Sequence, residues 1–195
     1  KYSSQNVEEL IKIVFPLTLD QFPKYINFRS NNDFEKFKKD FIFSFDEVYY
    51  KNIKTIKYAK EVLNFSVNTY GKNNVFILTN RRHDSAIQIC SNLKITDIIL
   101  KENIFSSIDD GSRNPKISSL KNLLPIFDKK SSRGCYVGDS LVDIEAANSN
   151  NFHPVYISKE LDDSIIGDFN LKIGYTYFQD LLGFLIYINN NYKEK

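Results

Sequence analysis

The chain has 195 residues, 42% of them hydrophobic and 14% aromatic, enough for one sizeable core with a small appendage. Its formal net charge is +2 with acids and bases interspersed, so it lacks the basic stripe that a nucleic-acid surface requires. No run approaches the roughly 18 apolar residues of a membrane span and no secretory leader is visible, so the expectation is a cytoplasmic protein with neither a nucleic-acid nor a membrane partner.

Residues 1–52 read as helical. A first helix over Val7–Val14 is ended by Pro16. Phe22, Tyr25 and Phe28 follow, and suit either the packing of a small core or the lining of a pocket. An Asn-Asn-Asp cluster ending at Asp33 offers a helix cap. After it Phe34, Phe37, Phe41, Phe45 and Val48 recur at three- and four-residue spacing. Lys36, Lys38 and Lys39 interleave with these aromatics and form the solvated side of an amphipathic helix.

From Ile53 the pattern changes. A helix over Thr55–Tyr70 leads through the polar turn Gly71–Asn74 to a buried strand, Val75–Leu78. Then come a helix at Arg82–Leu93, a short strand at Ile98–Leu100 and a helix at Ser119–Phe127. A strand at Tyr136–Val137, a helix at Val142–Asn148, a strand at Val155–Ile157 and a closing helix at Phe178–Tyr187 complete the order. Alternating strand and helix specifies an α/β domain with a parallel sheet covered on both faces. The expected division is therefore residues 1–52 and 53–195. Cys90 and Cys135 lie in apolar contexts without a C-x-x-C pair, as buried free thiols do. His83 and His153 are not at zinc-ligand spacing. The chain contains no Met, even at position 1, so a native start is expected upstream.

Three segments carry chemistry. Cys135-Tyr136-Val137-Gly138-Asp139-Ser140-Leu141-Val142-Asp143 runs from an apolar strand into two carboxylates four residues apart. Open α/β sheets place their ligands at the carboxyl ends of such strands. Carboxylate oxygens there suit Mg²⁺, which takes one or two of them and keeps waters that a phosphate can replace. Asp139 could instead cap the following helix, and Asp143 could be a first-turn acid facing its dipole. Thr79 and Asn80 follow the Val75 strand, where a hydroxyl and an amide can hold a phosphate oxygen or merely cap a helix. Arg113-Asn114-Pro115-Lys116 precedes another helix, where Lys116 can reach a phosphate as a point charge.

Together these residues resemble the haloacid dehalogenase-like phosphohydrolases, most closely the phosphoglycolate phosphatase-like branch. Thr79-Asn80 looks like their second motif, and Gly138-Asp139-Ser140-x-x-Asp143 like their fourth. Lys116 looks like the third, although Asn114-Pro115-Lys116-Ile117 departs from the usual Lys-Pro-x-Pro, and Arg113 is a possible substitute. The resemblance covers roughly residues 53–185 and implies a three-layer, Rossmann-like α/β core, with residues 1–52 as part of a helical cap. It further implies a Mg²⁺-dependent phosphatase acting on a small phosphorylated metabolite through an aspartyl-phosphate. Asp139 would then be a metal ligand, Asp143 would hold the metal or its waters, and Thr79, Asn80 and Lys116 would bind the transferring phosphoryl. The nucleophile motif Asp-x-Asp is missing from the chain and is expected upstream of Lys1. The internal alternative, Phe43-Ser44-Phe45-Asp46-Glu47-Val48, would keep only the acid/base position, at Asp46. A non-catalytic binding module of the same family and a phosphomutase are the other readings of the same residues. Neither substrate identity nor oligomeric state is legible.

Overall fold

The structure is a computed structural model that describes residues 27–107, 114–126, 134–159 and 174–191, with the backbone alone at 42, 44–51 and 126. The chain divides into two compact units, Lys1–Asn52 and Ile53–Lys195.

The described part of the first unit is dominated by α1 (Asn31–Asn52). Its cap is Ser30 rather than Asp33. Ser30 Oγ accepts the Asp33 backbone N–H at 3.2 Å, which leaves the Asp33 carboxylate in the first turn to face the helix dipole. Of the periodic aromatics, Phe37 and Phe41 stack on one another at 5.7 Å, and Phe34 and Phe37 share a partner in Phe28. Phe34 is buried, and the Phe28 ring lies 5.0 Å from Phe34 and 5.3 Å from Phe37, centroid to centroid. Phe28 therefore packs on the helix. Phe22 and Tyr25 lie outside the described residues.

The second unit follows the strand–helix alternation. Its elements are α2 (Ala59–Tyr70), β1 (Ile77–Thr79), α3 (His83–Asn92), β2 (Ile104–Ser106) and α4 (Pro115–Leu123), then β3 (Cys135–Gly138), α5 (Leu141–Ser149), β4 (His153–Ile157), β5 (Thr176–Phe178) and α6 (Leu181–Asn191). Gly71 ends α2 at φ +83°, a backbone conformation that favours glycine, and its N–H returns to Val67 O at 2.8 Å. Among the described residues the strands form two parallel groups, β1–β2 and β3–β4–β5. The fold is the α/β, Rossmann-like arrangement expected from the alternation. Helix α4 touches both β1 and α5, and α5 lies on β3 and β4, so one helix layer links the two strand groups.

Two apolar clusters hold these layers. Val75, Ala86, Cys90, Ile99 and Ile104 form one, with α3 and β2 at its centre. Val62, Val155, Phe184 and Ile188 form the other, joining α2 and α6 to β4. Full burial of such a side chain is worth about 1.5–3 kcal/mol. Among the described residues no helix is long and apolar enough to cross a membrane.

Several boundaries differ from expectation. Ile98–Leu100 is a turn, and the strand lies further on at Ile104–Ser106. Ile99 is buried because the turn tucks into the core, and an apolar run reports burial rather than extension. Phe178 ends a strand instead of opening the last helix. Pro115 starts α4 four residues before the expected Ser119, as a proline at the first helical position can. Cys90 is buried as expected, but Cys135 is exposed. It starts β3, whose burial alternates along the strand and whose one edge bears no strand partner among the described residues.

Candidate functional site

β3 delivers the Gly138-Asp139 turn. A Cβ on Gly138 would overlap the Cβ and Cγ of Asp143, so this close approach of turn and helix requires glycine. Asp139 does not cap α5, since Ser140 occupies that position. Its side chain is exposed and has no hydrogen-bond or ion-pair partner among the described residues.

Asp143 is the opposite case. It lies in the first turn of α5 and is buried, with 3% of its surface exposed. Lys116 Nζ donates to Oδ1 at 2.6 Å, and the Tyr136 hydroxyl donates to the same oxygen at 3.3 Å. Ser140 Oγ donates to Oδ2 at 2.6 Å. Both oxygens are thus engaged by protein donors, as a buried carboxylate requires. Burial pushes the Tyr136 phenol well above its usual range, and the charge of Asp143 and the hydrogen bond to it push the same way. The hydroxyl therefore stays protonated and remains a donor.

Lys116 owes its place to a joint built by two asparagines. Asn114 is the N-cap of α4, its Oδ1 accepting from Lys116 N at 3.2 Å. The same amide donates to Val142 O at 2.8 Å and to Glu145 Oε2 at 3.2 Å on α5. Asn150, at the far end of α5, donates to Ile117 O at 3.0 Å and to Ala146 O at 2.9 Å. Both asparagines are buried, and between them they lock α4 onto α5 with Lys116 against Asp143. Sequence reasoning missed Asn114, Asn150 and Tyr136. The one available signal was an Asn directly before Pro, the N-cap and first-turn signature of a helix.

Thr79 and Asn80 sit at the carboxyl end of β1. Neither caps α3, whose cap position is Arg82. Thr79 Oγ1 accepts from Arg81 N at 3.2 Å, which fixes the turn and leaves the hydroxyl proton free to donate. Asn80 Oδ1 accepts from Ser107 Oγ at 2.7 Å. No hydrogen bond or ion pair joins Thr79 or Asn80 to Lys116, Asp139 or Asp143 among the described residues. They share with Lys116 only the α4 layer that touches β1.

Of the remaining candidates, Arg113 lies outside the described residues. Asp46 falls within α1, so Phe43–Val48 is helix and not the end of a strand. The phenylalanine periodicity of that segment dominates its local choice. Among the described residues no three His, Cys, Asp or Glu side chains gather in a group that could hold a metal.

Neither the curated proteins nor the solved structures contain a match to the chain. The family model of the haloacid dehalogenase-like hydrolases matches residues 1–157, which takes in β1 through β4 with Thr79, Asn80, Lys116, Asp139 and Asp143. On that match the chain belongs to the haloacid dehalogenase-like hydrolases.

Proposed function

We propose that this chain carries the phosphate- and metal-binding part of a phosphomonoester hydrolase that works through an aspartyl-phosphate. The observation that carries the reading is the contrast between the two carboxylates. Asp143 is spent on Lys116, Tyr136 and Ser140, whereas Asp139, at a strand end, has no side-chain partner among the described residues.

Asp139 fits a hard cation that needs few protein ligands, and Mg²⁺ is such a cation. When bound it neutralises charge on the phosphate and the nucleophile. Asp143 acts at one remove, holding Lys116 and the turn that presents Asp139. Lys116, Thr79 and Asn80 supply donors to the phosphoryl oxygens, so that charge in the transition state meets fixed partners. Hydrolysis in two displacements then needs a carboxylate nucleophile. It bonds to phosphorus as the ester oxygen leaves with a proton from a neighbouring acid, and water later cleaves the acyl phosphate.

That nucleophile is supplied by polypeptide preceding Lys1. The grouping of strands supports this. β1 and β3 each end a parallel group under the shared α4–α5 layer, and Val137 is 37% exposed on β3. A strand between them would satisfy two edges that bear no partner strand among the described residues, and sheets otherwise protect such edges. Residues 1–52 serve as part of a helical cap that selects a small phosphorylated metabolite.

The test is release of phosphate from p-nitrophenyl phosphate by the complete protein with its upstream segment. Asp139→Asn is expected to abolish Mg²⁺-dependent turnover while leaving the fold intact. Unchanged turnover in the variant would remove Asp139 from the site.

A further inference from the structure

We propose that Ser107 is a positioning residue of the phosphate site, setting the Asn80 amide so that Nδ2, and not Oδ1, faces an incoming phosphate. The inference rests on the reading of the β1 end as a phosphate site. Register pairs Thr79 with Ser106, so Ser107 falls beside Asn80. The ladder extends one step beyond β2, because Ser107 N donates to Thr79 O at 2.8 Å. The Ser107 backbone is thereby fixed, and its hydroxyl donates to Asn80 Oδ1 at 2.7 Å.

The two ends of an asparagine amide have nearly the same shape and opposite polarity. A phosphate dianion accepts hydrogen bonds and repels a carbonyl oxygen, so only one orientation of Asn80 serves it. The Ser107 hydroxyl occupies Oδ1, which leaves the Nδ2 protons without a partner among the described residues. The donors therefore wait in place, and binding does not have to select the orientation from two alternatives.

The experiment uses the complete protein, Mg²⁺ and inorganic phosphate, with affinity measured by calorimetric titration. Ser107→Ala is expected to weaken phosphate about three- to tenfold, the worth of one neutral hydrogen bond. Ser107→Thr keeps the hydroxyl and is expected to restore the parent affinity. In an Asn80→Ala background Ser107→Ala is expected to add nothing, a non-additivity that a general loss of folding would not produce. The Asn80 side-chain amide resonances are expected to shift in Ser107→Ala and to return in Ser107→Thr. Full additivity of the two alanine variants, or Asn80 resonances unmoved by Ser107→Ala, would overturn the role of Ser107. A parent protein that binds no phosphate, with the Asn80 resonances still responding to Ser107→Ala, would instead overturn the phosphate reading and leave the orientation standing.

Discussion

Lys116 and Asp143 show how a charge is kept inside this fold. Their side chains are 12% and 5% exposed and 2.6 Å apart. A pair this dry is costly to assemble and more costly to break from one side, because the survivor is left as an unpaired buried charge. Lys116→Met is accordingly expected to destabilise the protein by about 3 kcal/mol. Replacing both partners with apolar residues should recover most of the loss. Urea midpoints of the single and double variants check this. Tyr136 adds a pH dependence of known sign. Its phenol ionises in the unfolded chain near pH ~10 but is held protonated in the fold. The unfolded state therefore sheds a proton that the native state keeps, and stability falls as pH rises above that value. Tyr136→Phe is expected to flatten this alkaline decline relative to the parent, measured as thermal midpoint against pH.

At the scale of elements, the α4–α5 joint determines whether the lysine reaches its carboxylate. Asn114 caps the start of α4, and its amide crosses to α5. Asn114→Ala removes the cap and the two amide bonds that reach α5, for an expected loss of about 2 kcal/mol. Denaturant titration reads that loss directly. Local cues made part of this legible. Proline and asparagine mark the start of α4, and Gly-Asp-Ser marks the strand-to-helix turn of β3. What stayed hidden was tertiary. Nothing in the residues near Asn114 says that its amide partners lie 28 and 31 positions away. The displaced second strand has the same origin. Ile98–Leu100 and Ile104–Ser106 are both short and apolar, Ile99 and Ile104 are both buried in one core, and only the second pairs with β1 and extends. Lys116 and Asp143 were recognised singly as candidates, but their pairing depended on the docking of two helices.

For the molecule as a whole, the two strand groups communicate through helices, since among the described residues no strand joins them. The α/β class was readable because alternation of period and length survives errors at each boundary. The division at Asn52–Ile53 coincides with the change from phenylalanine periodicity to strand–helix alternation.

The asparagine joint also has a consequence for the native-state dynamics. Asn114, Lys116 and Asn150 each make a bond that spans α4 and α5, so a fluctuation that lifts one helix breaks these bonds together. The open form would have no organised lysine and so no affinity for anions at that point. A ligand held by Lys116 therefore stabilises the closed form alone, by about 2.7 kcal/mol at a hundredfold excess over Kd. Amide exchange along both α4 and α5 is expected to slow by the same factor when phosphate and Mg²⁺ are added. Protection confined to the residues that touch the anion would show that the helices open separately. A pair of buried asparagines would thus turn occupancy of the site at Lys116 into cooperative tightening of the helix layer that holds it.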